Sequence, residues 1–190
     1  MVKAAILCEG KNDQVFFETL MNHLGFDKHK VSFYIFSGKS KFFQLDNTNY
    51  KDLKLEIDSG QIGKALFVVD ADDIKKDSIY GGFENTLEKL NDVIKKLEIE
   101  GISDTYVMCD PTTKVGYLES FLLSTIPEAQ RDCINNFLAC SKFESKENHK
   151  AIINQIYNIA YPKAPYNFGH HHFELLKTQL THLFKYPVNA

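Results

Sequence analysis

The stretch Lys64-Ala65-Leu66-Phe67-Val68-Val69-Asp70-Ala71-Asp72-Asp73 decides the fold. From Lys64 to Val69 the run shows no polar alternation, the pattern of a strand buried on both faces, and such strands belong to parallel sheets covered by helices on either side. It stops abruptly at three aspartates and an alanine. The stretch therefore predicts a central parallel strand whose carboxyl end carries carboxylates.

Upstream, Ala4 to Cys8 is a second apolar run, and it meets Glu9-Gly10. Val15, Phe16, Leu20 and Leu24 then recur at helical spacing, with Asn12 or Asp13 placed to cap the helix and Gly25 to stop it. Val31 to Phe36 is rich in β-branched and aromatic residues and predicts a strand, followed by a basic loop and a helix from Tyr50 to Ile62. Downstream, Leu87, Leu90, Val93, Ile94 and Leu97 define an amphipathic helix over Phe83 to Leu97, and Thr105 to Cys109 gives a fourth strand. Alternating strands and helices predict an α/β fold, a Rossmann-like parallel sheet of about four strands with helices on both faces.

Beyond Asp110-Pro111 the character changes. Tyr117 to Leu123, Pro127 to Cys140 and Glu147 to Tyr161 read as helices, Pro162 and Pro165 interrupt the chain, and a last helix spans Phe173 to Phe184. The organisation expected is an α/β core over residues 1–123 and a C-terminal helical extension over residues 124–190, packed on the core.

With 190 residues, 44% hydrophobic and 25% charged, the chain can bury its own core. Its longest apolar runs fall far below the roughly 20 residues that cross a bilayer, and Met1 to Cys8 lacks the stretch of a signal peptide, so no membrane association and a cytoplasmic address are expected. Cys8, Cys109, Cys133 and Cys140 form no C-x-x-C pair, which favours reduced thiols over disulfides or structural zinc. The net charge of −3 announces no nucleic-acid binder. Locally, however, Lys28, Lys30, Lys39, Lys41, Lys51 and Lys54 face only Asp46 and Asp52, a charge of +4 with six aromatic residues interleaved. That segment is either a phosphate-binding surface or a solvated rim around strand aromatics.

Ligands of open α/β sheets bind beyond the carboxyl ends of the strands, where Glu9, Asp70 and Asp72 all fall. Side chains alternate along a strand, so Asp70 and Asp72 are expected to face one ion while Ala71 and Asp73 point elsewhere. Clustered carboxylates repel unless a cation neutralises them, and a hard-oxygen site suits Mg²⁺ or Mn²⁺. Such an ion works with substrate phosphates, which points to phosphodiester chemistry.

The combination of Glu9-Gly10-Lys11-x-Asp13 after one apolar strand, and Asp70-x-Asp72-Asp73 after another about sixty residues on, resembles the Toprim domain of topoisomerases, primases and related nucleases. The resemblance implies that Glu9 acts as acid or base, that Asp70 and Asp72 hold Mg²⁺, and that Gly10 lets the chain turn sharply. Tyr117 to Leu123 is also similar to the Leu-Glu helix start of OLD-family Toprim nucleases, which makes Glu119 a further metal ligand and Lys114 a candidate for steadying transition-state charge. Asp13 is a metal ligand or a first-turn helix acid. Gly10, Lys11, Lys39 and Lys41 are the candidate nucleic-acid contacts. Unlike OLD proteins the chain has no Gly-x-x-x-x-Gly-Lys-Ser/Thr loop.

The function expected is therefore a Toprim-type nuclease acting on DNA or RNA. The alternative is a catalytically silent metal- or nucleic-acid-binding module that works with a protein partner or a second copy. Asp70-x-Asp72 also imitates the nucleophile pair of haloacid-dehalogenase phosphatases, but that pair usually stands on the first strand. His170-His171-His172, on an extended chain, would not face one ion together, and is expected to be a polar patch, although one member or His149 could approach the acidic cleft.

Overall fold

The computed structural model describes residues 2–142, 145–161 and 166–185, without the side chains of 146–149. Four strands, β1 (Lys3–Cys8), β2 (Val31–Ile35), β3 (Ile62–Asp70) and β4 (Ser103–Met108), form one all-parallel sheet in the order β2-β1-β3-β4. The chain first runs outward from β1 to β2, then returns to place β3 on the other side of β1. The direction of winding thus reverses between β1 and β3, and such a reversal opens a crevice beyond the carboxyl ends of the two strands.

Alternation along the strands divides the core between two faces. Ala4, Ile6, Leu66, Val68, Tyr106 and Met108 face one side. There they meet α1 (Lys11–His23), α5 (Leu118–Leu123), α6 (Glu128–Ser141), α7 (Lys146–Ala160) and α8 (Glu174–Phe184). Ala5, Leu7, Ala65, Phe67, Val69 and Val107 face the other, covered by α2 (Lys39–Phe42), α3 (Thr48–Asp58) and α4 (Phe83–Lys96). Burial of both faces explains why β1 and β3 are written without polar alternation. Leu176, Leu180 and Leu183 of α8 are buried in the same core as β1, so this C-terminal helix completes one layer of the sheet.

Most elements differ from expectation by a residue or two at their ends, and two of these differences have a plain local cause. The helix expected over Tyr50 to Ile62 is α3, which begins at Thr48 because the Asn47 side chain accepts the Asn49 N–H at 3.0 Å. It ends before Gly60, whose φ of +73° a helix cannot continue, and Ile62 already belongs to β3. The cap of α1 is Gly10 rather than Asn12 or Asp13; Asp13 instead accepts the Gly10 N–H from the first turn at 2.8 Å. Pro162 and Pro165 lie outside the described residues. Among those described, no helix is long and apolar enough to cross a membrane.

The turn leading into α8 is locked by aromatic packing. The fully buried Phe173 ring meets Phe121 at 4.9 Å and Phe168 at 5.3 Å, edge-on in both cases. Phe173→Ala is expected to destabilise the fold by about 3–5 kcal/mol and to lower the melting temperature by about 10 °C. A shift of only a degree or two in thermal melts would mean that this segment is peripheral to the sheet.

Candidate functional site

Glu9 follows the last residue of β1 and Asp70 closes β3, so neighbouring parallel strands deliver both acids to the carboxyl edge of the sheet. They are joined directly: Glu9 Oε1 accepts the Asp70 backbone N–H at 2.9 Å across 61 residues of sequence. The Asp70 side chain is buried, and its Oδ1 accepts the N–H of Leu118 at 3.2 Å. A carboxylate carries about four acceptor positions, so these backbone donors orient Glu9 and Asp70 without exhausting them.

Lys39, at the start of α2, is the cation of the site. It is 8% exposed, and its Nζ donates to the Asp70 carbonyl, to the Ala71 carbonyl at 3.0 Å and to Thr86 Oγ1 at 3.1 Å, with Asp72 Oδ2 at 3.5 Å. Burial holds its pKa below the usual lysine value, while Asp72, Glu9 and Asp70 oppose the shift. The expectation that Lys39 grips a phosphate backbone is therefore corrected: its ammonium is turned inward and consumed by the protein's own oxygens.

Asp72 does not continue the alternation of β3. Its φ is +56°, and it forms a two-bond bridge with Gly116, Asp72 N–H to Gly116 O at 2.6 Å and the reverse at 3.3 Å. Gly116 has φ +103°, and a Cβ there would collide with Ser120. The strand-alternation argument for pairing Asp70 with Asp72 thus fails: the bridge to Gly116 holds the Asp72 backbone, and its Oδ2 lies 3.5 Å from Lys39 Nζ. Asp73 points elsewhere, its Oδ1 capping the Lys75 N–H at 2.9 Å.

Other candidates fall around this centre. Gly10 has φ −144°, open to any residue, and a Cβ would make only an ordinary 3.7 Å contact with Asp13, so the sharp-turn role is corrected. Asp13 works as the first-turn cap described above. Glu119, in the first turn of α5, is 2% exposed and turns to α7, with Lys150 Nζ 3.8 Å from its Oε2. Lys114 is exposed and rests its ammonium 4.8 Å from the Phe83 ring centre. Lys11 and Lys41 are exposed, on the first turn of α1 and on α2.

Burial pushes the Glu9 carboxyl up to about 7; its hydrogen bond from Asp70 and the nearby Lys39 charge lower it, while Asp72 and Asp13 raise it. The adjacent thiols are inert, since burial pushes Cys109 up to about 11 and Cys8 higher still. The donor chemistry of Glu9, Asp70 and Asp72, hard carboxylate oxygens around a group that resists charge, fits Mg²⁺ or Mn²⁺. Mg²⁺ commonly keeps several of its waters, so an ion at these carboxylates would be held partly through water.

Two features escaped the sequence. Thr86 is fully buried and gives Lys39 its hydroxyl; its place in the apolar stripe that continues through Leu90 and Val93 was the available signal. The histidine run, expected to splay along an extended chain, instead begins a 3-10 turn, and one ring nitrogen from each of His170, His171 and His172 lies within 4.8 Å of the others. The side chain of His149 lies outside the described residues.

Fold and site together define a parallel α/β protein with a lysine-bridged acidic edge at its switch point. A family model described as Protein of unknown function (DUF3226) matches residues 3–167, and the chain belongs to that family. No curated protein and no solved structure matches it.

Because the folded pKa of Glu9 lies above its ordinary value of 4.5, the folded state holds this proton more tightly than the unfolded chain. Its contribution to stability is full at pH values below 4.5 and is lost as pH rises through 7. Glu9→Gln, which keeps the acceptor for the Asp70 N–H, is expected to melt several degrees above the unmutated chain at pH 8 and level with it near pH 4. The gain is on the order of 3 kcal/mol at most. Thermal melts across pH 4–8 test this; a gap independent of pH would contradict it.

Proposed function

We propose that the chain is a divalent-metal-dependent nuclease of the Toprim type, hydrolysing phosphodiester bonds of DNA or RNA with Mg²⁺ or Mn²⁺ at the acidic edge. The observation that carries this is the Glu9–Asp70 contact at the switch point, which sets a carboxyl group titrating near neutrality beside a buried aspartate. Asp70 and Asp72 would hold the ion, which when bound supplies positive charge to the phosphate oxygens and acidifies the attacking water. Glu9 accepts a proton from that water as its oxygen forms the new bond to phosphorus. The bridging P–O bond breaks, and the leaving oxygen takes a proton from solvent. Lys11 and Lys41, both exposed, are cations available to the nucleic-acid backbone.

One observation favours a second reading. Lys39 already supplies a positive charge to Asp72 and the end of β3, which would let the edge persist as a silent binding module serving a protein partner or a second copy. Incubating the purified chain and Asp70→Asn with single- and double-stranded DNA and RNA, in Mg²⁺, Mn²⁺ or chelator, separates the two. Cleavage that needs metal and falls by about 100-fold or more in Asp70→Asn, with circular dichroism unchanged, is the expected result. Metal binding without cleavage on any substrate would overturn the nuclease and leave the silent module.

A further inference from the structure

We propose that His170, His171 and His172 form a second metal site, for a transition-metal ion of the Zn²⁺ class, built on the turn that leads into α8 and steadied by Ser124 at the end of α5. Consecutive residues converge here because the chain is not extended: His170 caps a 3-10 turn over His171–Phe173, so the side chains fan around one point. The ring centres lie 4.3 to 4.5 Å apart, and one nitrogen from each ring falls within 4.8 Å of the other two. Zn²⁺ draws imidazole nitrogens in to about 2.0–2.1 Å, a closure that side-chain rotation can supply.

Ser124 Oγ lies 2.8 Å from His172 Nδ1 and 2.6 Å from the Phe121 carbonyl, which can take its one proton. In that arrangement Nδ1 carries the proton and Nε2 is left to ligate, the pattern of a metal-ligating histidine whose second nitrogen is held by a hydrogen bond. The turn itself is anchored: Phe173 is fully buried, His170 N–H donates to the Asn167 carbonyl at 3.0 Å, and Asn167 Nδ2 donates to the Thr125 carbonyl at 3.0 Å. Ligation would also replace the hydrogen bond by which His170 Nδ1 accepts the His172 N–H across a long 3.2 Å. Imidazoles select Zn²⁺, Ni²⁺ or Cu²⁺ over Mg²⁺, so this site is chemically distinct from the carboxylate edge. His171 is exposed, and three protein ligands leave an open coordination position accessible to water or a small ligand.

Zn²⁺ and Co²⁺ titrations of the full chain test the site, with a linear peptide of residues 168–174 as the unfolded control. With excess Mg²⁺ present to occupy the carboxylate edge, the expected result is one Zn²⁺ or Co²⁺ ion per chain, bound about tenfold or more tightly than by the peptide, with that binding unchanged in Asp70→Asn. Ser124→Ala should weaken binding by about tenfold, and the exposed His171→Ala by at least as much. His171→Ala decides the matter should Ser124→Ala disturb the fold. Affinity no better than the peptide's, indifference to His171→Ala, or loss of binding in Asp70→Asn would each overturn the proposal.

Discussion

One buried ammonium has to be kept supplied with oxygen, and the carboxyl edge of the sheet is arranged around that need. Withdrawing a charged lysine from water costs several kcal/mol unless partners surround it. Lys39 finds the carbonyls of Asp70 and Ala71, the hydroxyl of Thr86 and the carboxylate of Asp72. Consecutive carbonyls of a regular strand point in opposite directions, so a continuing β3 could not offer both of the first two to one donor. The strand ends at Asp70, and two residues later the chain takes the left-handed conformation of Asp72. In this way one side chain ties α2 to α4, its neighbour on the same face of the sheet, across the end of β3.

Around that fixed cation the acids take unequal roles. Asp70 is oriented by the first N–H of α5 and Asp72 by Lys39, whereas Glu9 is desolvated enough to resist ionisation. A carboxyl that weakens the fold when charged is a feature that selection for stability alone would remove, and such groups gather where chemistry is done. The histidine turn differs in kind. Its donors are nitrogens rather than oxygens, and its support comes from Ser124 and the aromatic core under α8 rather than from β3. Since α5 gives Asp70 its Leu118 N–H at one end and is followed by Ser124 at the other, a single short helix lies between the two places.

Much of the fold was legible because burial on both faces of a parallel sheet leaves a plain mark in Ala4 to Cys8 and Lys64 to Val69. The same strand ends place Glu9 and Asp70 at one edge in the sequence alone. Asp72 was not legible in the same way, since period-two alternation carries no warning that a residue leaves the strand with positive φ. Lys39 reads in the sequence as a phosphate contact in a basic loop, because the oxygens that bury it come from residues 31 to 47 positions away. The histidine run differs from expectation for a local reason: three consecutive histidines carry no signal of the 3-10 turn that gathers them.

The central claim is that the Glu9–Asp70 crevice takes a divalent ion, and Mn²⁺ titration monitored by amide NMR tests it most directly. Paramagnetic broadening at substoichiometric Mn²⁺ should appear first at Gly10, Asp70, Ala71 and Leu118, whose amides lie beside these carboxylates, and should be reversed by excess Mg²⁺. Broadening that begins elsewhere, or that Mg²⁺ does not reverse, would contradict the assignment of this edge as the metal site.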